Sequence, residues 1–185
     1  MRCDWCLGNE LNIKYHDEEW GIPTHDDKTL FEFIVLESMQ AGLSWITILR
    51  KRENFRQAFD DFDVIKISQY DENKILQLLN NPGIIRYRKK IEAVINNAQK
   101  FIEIQKEVGS FNTYIWRFVN YKPIINHYQF ISEVPATSEL SDLISADLKK
   151  RGFKFLGSTI IYSYLQAIGV IDDHIDTCIM KNHDS

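Results

Sequence analysis

The chain has 185 residues, 44% of them hydrophobic and 26% charged, and a formal net charge of −4. That length carries one large or two small domains with a real core, and the composition is that of a globular protein. No apolar run approaches the roughly 20 residues that span a bilayer, and the acidic balance excludes a global basic footprint, so a nucleic-acid partner would need a local patch.

MRCDWC at the start is too polar for a signal peptide, which predicts a cytoplasmic protein. Three cysteines in that setting argue against a disulfide framework and leave metal binding or plain burial. Residues 1–25 show little periodicity but hold Cys3, Trp5, Cys6, Tyr15, His16, Trp20 and His25. Such a segment is expected to pack onto a domain formed by the rest. Asp26 or Asp27 can cap a helix running to about Gln40. The chain then turns at Gly42, and Ser44 can cap a second helix, with Trp45, Ile48, Leu49, Phe55 and Phe59 at helical spacing. Glu37 and Gln40 share a helix face beside apolar Phe33, Ile34 and Leu36. A carboxylate in such company is costly unless something pairs with it. With Trp45 just past the bend, acid, amide and indole make a candidate pocket wall. The plainer reading has Glu37 reaching solvent and Trp45 as core. The basic run Arg50, Lys51, Arg52 reads as a solvated face.

Asp63 and Asp71 open two short helices, and NNPG at 80–83 breaks the pattern. A long helix is predicted from about Ile84 to Gln105, with Arg86, Arg88, Lys89 and Lys90 crowding its first turns. Cations there oppose the helix dipole and hint at an anionic partner. Gly109-Ser110 starts a shorter helix, and 120–136 reads as a connection. Ser138 can cap a helix stopped by Gly152, and Ser158 opens a last one ended by Gly169. No strand is predicted. The fold class is all-α, with roughly seven to nine helices.

Two constellations stand out. LKKRGFKFLGSTIIYSYLQAIG, residues 148–169, is a helix, a hairpin bracketed by Gly152 and Gly157, and a helix. Glycines allow close backbone approach, and amides opening the second helix at Ser158 form an anion site. Lys149, Lys150, Arg151 and Lys154 surround it and supply the local positive patch; the alternative is an ordinary helical hairpin with a basic rim. Separately, His174 and Cys178 lie at i and i+4, so one helical turn aims both at one point. A closed tetrahedral zinc site needs two more ligands. Cys3, Cys6 and His16 are the candidates, with Cys3–Cys6 and Cys3–His16 as rival pairs. Three free thiols and unrelated histidines are the alternative.

KYHDEEWG, FEFIVLESMQAGLSWITILRKRENF, GIIRYRKKIEAVINNAQ, IWRFVN, the 148–169 stretch and DDHIDTC together resemble the 3-methyladenine DNA glycosylase I (Tag) family of helix–hairpin–helix DNA glycosylases, in order and from Cys3 to Cys178. The resemblance implies a helix–hairpin–helix glycosylase fold. It implies a single unit over 1–185, with a helical body at 26–169 and terminal segments 1–25 and 170–185 tied by one structural zinc. It implies excision of 3-methyladenine from alkylated double-stranded DNA by hydrolysis of the N-glycosidic bond, the free base being the product and no strand being cut. Carried over by residue, the zinc ligands fall on Cys3, His16, His174 and Cys178. The base pocket falls on Glu37, Trp45, Tyr15 and Trp5, with Glu37 in the catalytic role. The element that enters the DNA stack falls on Gly42, Leu43 and Ser44. A further pocket tyrosine of the family falls on Asn12, a departure that touches how the pocket closes. The family lacks the catalytic aspartate of the wider superfamily; Asp172 and Asp173, near its expected place, are candidates for supporting or capping roles. A monomer with no membrane partner is expected. The rivals are a zinc-stapled DNA-binding module without catalysis and a related glycosylase for another lesion.

Overall fold

Nine helices organise this computed structural model, which describes residues 1–181; the last four residues of the unit expected over 1–185 lie outside the described residues. In chain order they are α1 (Glu10–Glu18), α2 (Asp27–Gln40), α3 (Trp45–Ala58), α4 (Val64–Ser68), α5 (Glu72–Leu79), α6 (Arg88–Val108), α7 (Phe111–Trp116), α8 (Glu139–Lys150) and α9 (Ser158–Ala167). Two short segments, β1 (Ile124–Ile125) and β2 (Ile171–Asp172), pair in parallel with Ile124 opposite Ile171. A two-residue strand leaves no period to read, so this pairing escapes a sequence search. The fold is otherwise helical, as expected.

The frame is built on α2. Asp26 caps it, its carboxylate accepting from the Thr29 amide at 2.9 Å. Asp27 then reaches across to α7 and accepts from the Phe111 and Asn112 amides at 2.9 and 2.8 Å. One acid thus caps α2 while its neighbour holds the start of α7, each satisfying amides that have no partner within their own helix. Every residue from Leu30 to Met39 is buried. A helix buried all round is the centre of a bundle, and α2 packs against α3, α6, α7 and α9.

Residues 1–25 are more ordered than their weak periodicity suggests. A short 3-10 turn spans Asp4–Cys6, and Asn9 caps α1 by accepting from the Leu11 and Asn12 amides. Only Tyr15 and His16 of α1 are buried, which is why its apolar stripe is faint. The basic run in α3 is only partly a solvated face. Arg52 is drawn inward between Glu19 and Glu32, at 2.7 Å from each, and lies 5.2 Å from the centroid of the Phe33 ring.

The long helix starts at Arg88 rather than Ile84, and two of its four leading cations are engaged within the protein. Arg88 pairs with Glu72 and Glu92, and Lys90 is buried against carbonyls of α2. Arg86 and Lys89 remain exposed. Ser158 opens α9 as expected, as its first residue after the N-cap Gly157, with its hydroxyl meeting Asp142 and Ser141 on α8.

Candidate functional site

The last turn of α2, the start of α3, the buried face of α1 and the 3-10 turn at Asp4–Cys6 converge on one cavity of about 390 Å³. Glu37, Trp45, Tyr15 and Trp5 all line it, together with Gln40 and Trp20. The opposite wall comes from 131–136 and from Thr159, Tyr162, Ser163 and Gln166 of α9. The aromatic side is continuous. Tyr15 lies 5.1 Å from Trp45 and 6.2 Å from Trp5, and Trp5 lies 5.1 Å from Trp20.

Glu37 is 2% exposed. Its Oε2 has no hydrogen-bond partner, and neither do the Trp5 and Trp45 Nε1 groups. Buried polar atoms are normally satisfied, so an acid and two indole N–H groups left open on one cavity mark it as built for a polar ligand. Burial alone pushes the Glu37 carboxyl up to about 8, because no cation stands by to favour the charged form. Nearby Glu37 in turn adds to the burial that holds the Tyr15 phenol well above its usual range.

Trp5 and Trp20 lead from this cavity to a second cluster. The ligand atoms of Cys3, His16 and Cys178, all buried, lie within 4.8 Å of one another. Cys178 Sγ stands 3.4 Å from His16 Nε2, close to the edge of about 3.5 Å that Zn–S and Zn–N bonds of about 2.3 and 2.0 Å give in a tetrahedron. His174 stands beside the group, its ring 4.9 Å from that of His16, and its buried Nε2 has no partner. Both histidines are oriented from behind. His16 Nδ1 meets Asp17 Oδ1 at 2.8 Å, and His174 Nδ1 meets Asp172 Oδ1 at 2.7 Å. A carboxylate on Nδ1 places the proton there and turns Nε2 outward as a lone-pair donor. Burial also pushes His16 below its ordinary value, toward the neutral form that binds metals. The donor set therefore fits a Cys2His2 ion. Cys6 is not part of this group; its thiol donates to the Cys3 carbonyl at 3.0 Å, and His16 is the residue that stands with Cys3 and Cys178.

Gly21 is needed at this cluster. Its φ is +75°, and a Cβ there would fall 2.7 Å from His174 Cε1. A side chain would displace the ring.

The remaining expected residues lie on two turns. Gly42 takes φ +82° and, with Leu43 and Ser44, is exposed between α2 and α3. Residues 151–157 join α8 to α9, with Gly152 at φ +91° and Phe155 at φ +58°. Lys149, Lys150 and Lys154 are exposed, but Arg151 is engaged by Glu107 at 2.7 Å and Asp147 at 2.9 Å. It is a structural tie rather than a free member of the patch. Sequence reasoning missed Trp20, Tyr162 and Gln166 as cavity wall, Asp17 behind His16, and Phe155 at the tip of the second turn. Asn12 does not line the cavity, although its Oδ1 is buried and unpartnered.

Comparison with known proteins matches residues 5–182 to the methyladenine glycosylase family. The chain belongs to this family. It is 46% identical over 177 residues to DNA-3-methyladenine glycosylase 1 of Escherichia coli (strain K12), covering 96% of this chain and 95% of that one. It is 45% identical over 180 residues to the DNA-3-methyladenine glycosylase of Haemophilus influenzae, covering 97% of each. The solved structure of 3-methyladenine DNA glycosylase I of Staphylococcus aureus, studied for its recognition of 3-methyladenine, superposes with a TM-score of 0.96 at 38% identity, over 100% of this chain and 98% of that one. Membership of the methyladenine glycosylases makes the chain an enzyme of DNA repair that hydrolyses N-glycosyl bonds. The cavity with the open carboxyl is its candidate active site.

Proposed function

We propose that this methyladenine glycosylase takes N3-methylated adenine out of alkylated duplex DNA, seats it in the aromatic cavity and hydrolyses its N-glycosidic bond. The products are the free base and an abasic site. The observation that carries the reading is the buried, unpartnered Glu37 carboxyl among Trp45, Tyr15 and Trp5. A base stacked within a duplex cannot reach the buried Glu37 carboxyl, so it is flipped out, and Leu43, on its exposed turn, fills the gap as an apolar wedge.

The lesion is a cation. Aromatic faces attract it by about 1–2 kcal/mol per good contact, and Glu37 gives up its proton to become the missing counter-charge. The carboxylate then accepts hydrogen bonds from the base edge while the sugar–base bond breaks, its electron pair leaving with the now neutral base; a water molecule bonds to C1′ in its place and loses its proton to solvent. A cationic purine is already a good leaving group, so a strong general base is unnecessary. Among the described residues no lysine lines the cavity, so no Schiff base forms and the strand is left uncut. Unmodified adenine lacks the charge and is held less well.

The helix–hairpin–helix formed by α8, 151–157 and α9 grips the phosphate backbone through Lys149, Lys150, Lys154 and the amides opening α9. Cys3, His16, His174 and Cys178 would hold one structural zinc. Bound by four protein groups it would supply no water-activating chemistry; it would tie the N-terminal segment, which carries Trp5 and Tyr15, to the segment after α9. The chain acts as a monomer on DNA in the cytoplasm.

Methylated duplex DNA tests this directly. The wild-type protein should release 3-methyladenine, and Glu37→Gln should release it about 100-fold more slowly with DNA affinity and metal content unchanged. Metal analysis of the same sample should find one zinc per chain, lost in Cys178→Ser. Release at the wild-type rate by Glu37→Gln would remove the assigned role, and release of a different base would reassign the lesion.

A further inference from the structure

The two turns assigned to DNA above are pinned to a single helix. Lys90 and Asn97 of α6 are both buried, at 7% and 1% exposure. Seven residues apart, they lie on nearly the same face and about 10 Å apart along the axis. Neither lines the cavity.

Lys90 points at the end of α2. Its ammonium donates to the Met39 carbonyl at 2.9 Å and the Ala41 carbonyl at 2.8 Å. These carbonyls belong to the end of α2, where intrahelical donors run out and the helix dipole is negative. The next residues are Gly42, Leu43 and Ser44. Space around Gly42 is open, with nothing within 4 Å of where a Cβ would be, and Leu43 is 40% exposed. Within the turn the Leu43 amide donates to the Gln40 carbonyl at 2.6 Å, and the Lys90 clamp on the flanking Met39 and Ala41 carbonyls anchors that turn to α6.

Asn97 does the same for the second turn. Its Nδ2 donates to the Lys154 carbonyl at 2.9 Å, and its Oδ1 accepts from the Lys154 amide at 2.8 Å. One side-chain amide thus satisfies both backbone groups of a residue at the tip of 151–157. Neighbouring Asn96 donates to the Gly152 carbonyl at 2.8 Å.

We propose that Lys90 and Asn97 are positioning residues for excision, with α6 as a rigid spacer that sets the wedge turn and the phosphate-gripping turn in one register. DNA held at 151–157 then presents the lesion to the cavity with Leu43 in line to enter the stack. The proposal rests on the reading of both turns as DNA contacts. It explains why a lysine is buried beside carbonyls: the charge holds the Met39 and Ala41 carbonyls, on either side of the Gln40 carbonyl that accepts from the Leu43 amide.

The test compares Lys90→Met, Lys90→Arg and Asn97→Ala with Leu43→Ala and Lys150→Ala. Each is assayed for excision from methylated duplex, affinity for free 3-methyladenine and thermal midpoint. Lys90→Met and Asn97→Ala should each lower kcat/KM on duplex by about 10- to 100-fold, the cost of roughly 1 Å of misplacement, while free-base affinity stays at the wild-type value. Lys90→Arg, which can still donate to two carbonyls, should restore most of the loss. In a Leu43→Ala background Lys90→Met should cost little more, because residues acting as one unit are not additive. Additive losses, or free-base affinity falling in step with excision, would overturn the spacer. Losses in Leu43→Ala and Lys150→Ala beside wild-type excision by Lys90→Met and Asn97→Ala would overturn the spacer alone. Wild-type kcat/KM on duplex for both Leu43→Ala and Lys150→Ala would overturn the assignment of the turns, and the spacer with it.

Discussion

Two buried carboxyl groups serve the cavity, Glu37 as part of its lining and Asp173 behind Tyr162 and Gln166, and their surroundings could hardly differ more. Glu37, at the end of α2, has an oxygen with no partner. Asp173, just after β2 and wholly buried, accepts from Asn126 Nδ2 at 2.7 Å, Tyr162 Oη at 2.6 Å and Gln166 Nε2 at 2.7 Å. Tyr162 and Gln166 are themselves cavity wall. The same functional group is a fixed strut where donors surround it and an open acid where they are withheld. A carboxylate holding three donors shapes the wall through its neighbours and has little freedom to act as a base.

Removing the strut gives the largest expected effect. Asp173→Ala strands three donors, each costing about 1–3 kcal/mol when left unsatisfied in the interior. Cavity water can reach two of them, so a net loss of about 4 kcal/mol is expected, with a thermal midpoint lowered by roughly 10 °C in a chain of this size. Excision measured well below that midpoint should fall only a few-fold. The comparison breaks if Asp173→Ala melts like the wild type yet loses excision as badly as Glu37→Gln, for then Asp173 is the reacting acid.

Removing the open acid should do the opposite to stability. Glu37 holds its proton to about 8 in the folded chain and releases it near the ordinary glutamate value when unfolded. Between those values the folded state binds more protons, so stability falls as pH rises and flattens above the folded value. Glu37→Gln carries no such cost. At pH 7 it should be more stable than wild type by on the order of 3 kcal/mol, with the difference vanishing toward pH 4. Thermal melts at pH 4 and pH 8 check this. A functional acid kept at the expense of stability is a recurrent trade, and equal midpoints at both pH values would mean that Glu37 has a partner in solution.

The aromatic side sharpens the comparison further. Trp45→Leu keeps apolar area but removes the ring face. It should weaken binding of a cationic base by about tenfold, equivalent to the 1–2 kcal/mol of one contact, and leave a neutral purine nearly unaffected. Equal loss for both would show that Trp45 contributes shape rather than charge recognition.

How much of this was legible depended on distance along the chain. The caps at Asp26, Asp63, Asp71, Ser110 and Ser138 were readable because a cap acts within three residues. Glu37 and Trp45 were readable as neighbours across one bend. Arg52 was misread as solvated because its partners Glu19 and Glu32 lie 33 and 20 residues away, and no local pattern marks a long-range ion pair. The far wall of the cavity was invisible for the same reason, since 131–136 and α9 meet α2 only in the folded chain. Asp17 was the avoidable omission: an aspartate next to a candidate ligand histidine is a signal that HDEE carried openly.

The smallest effect concerns the exposed cations. Lys149, Lys150 and Lys154 are exposed while Arg151 is held by Glu107 and Asp147, so the basic run divides into free and committed charges. Neutralising one phosphate contact lowers the slope of log affinity against log salt by about 0.9. Lys150→Ala should therefore flatten the slope by about one and weaken DNA binding uniformly across sequences, with excision at saturating DNA unchanged. Arg151→Ala should instead lower the thermal midpoint by freeing Asp147 and Glu107, and should leave the salt slope almost where it was. If the two variants exchange these outcomes, Arg151 leaves its carboxylates when DNA arrives, and the division between free and committed charge holds only for the protein alone.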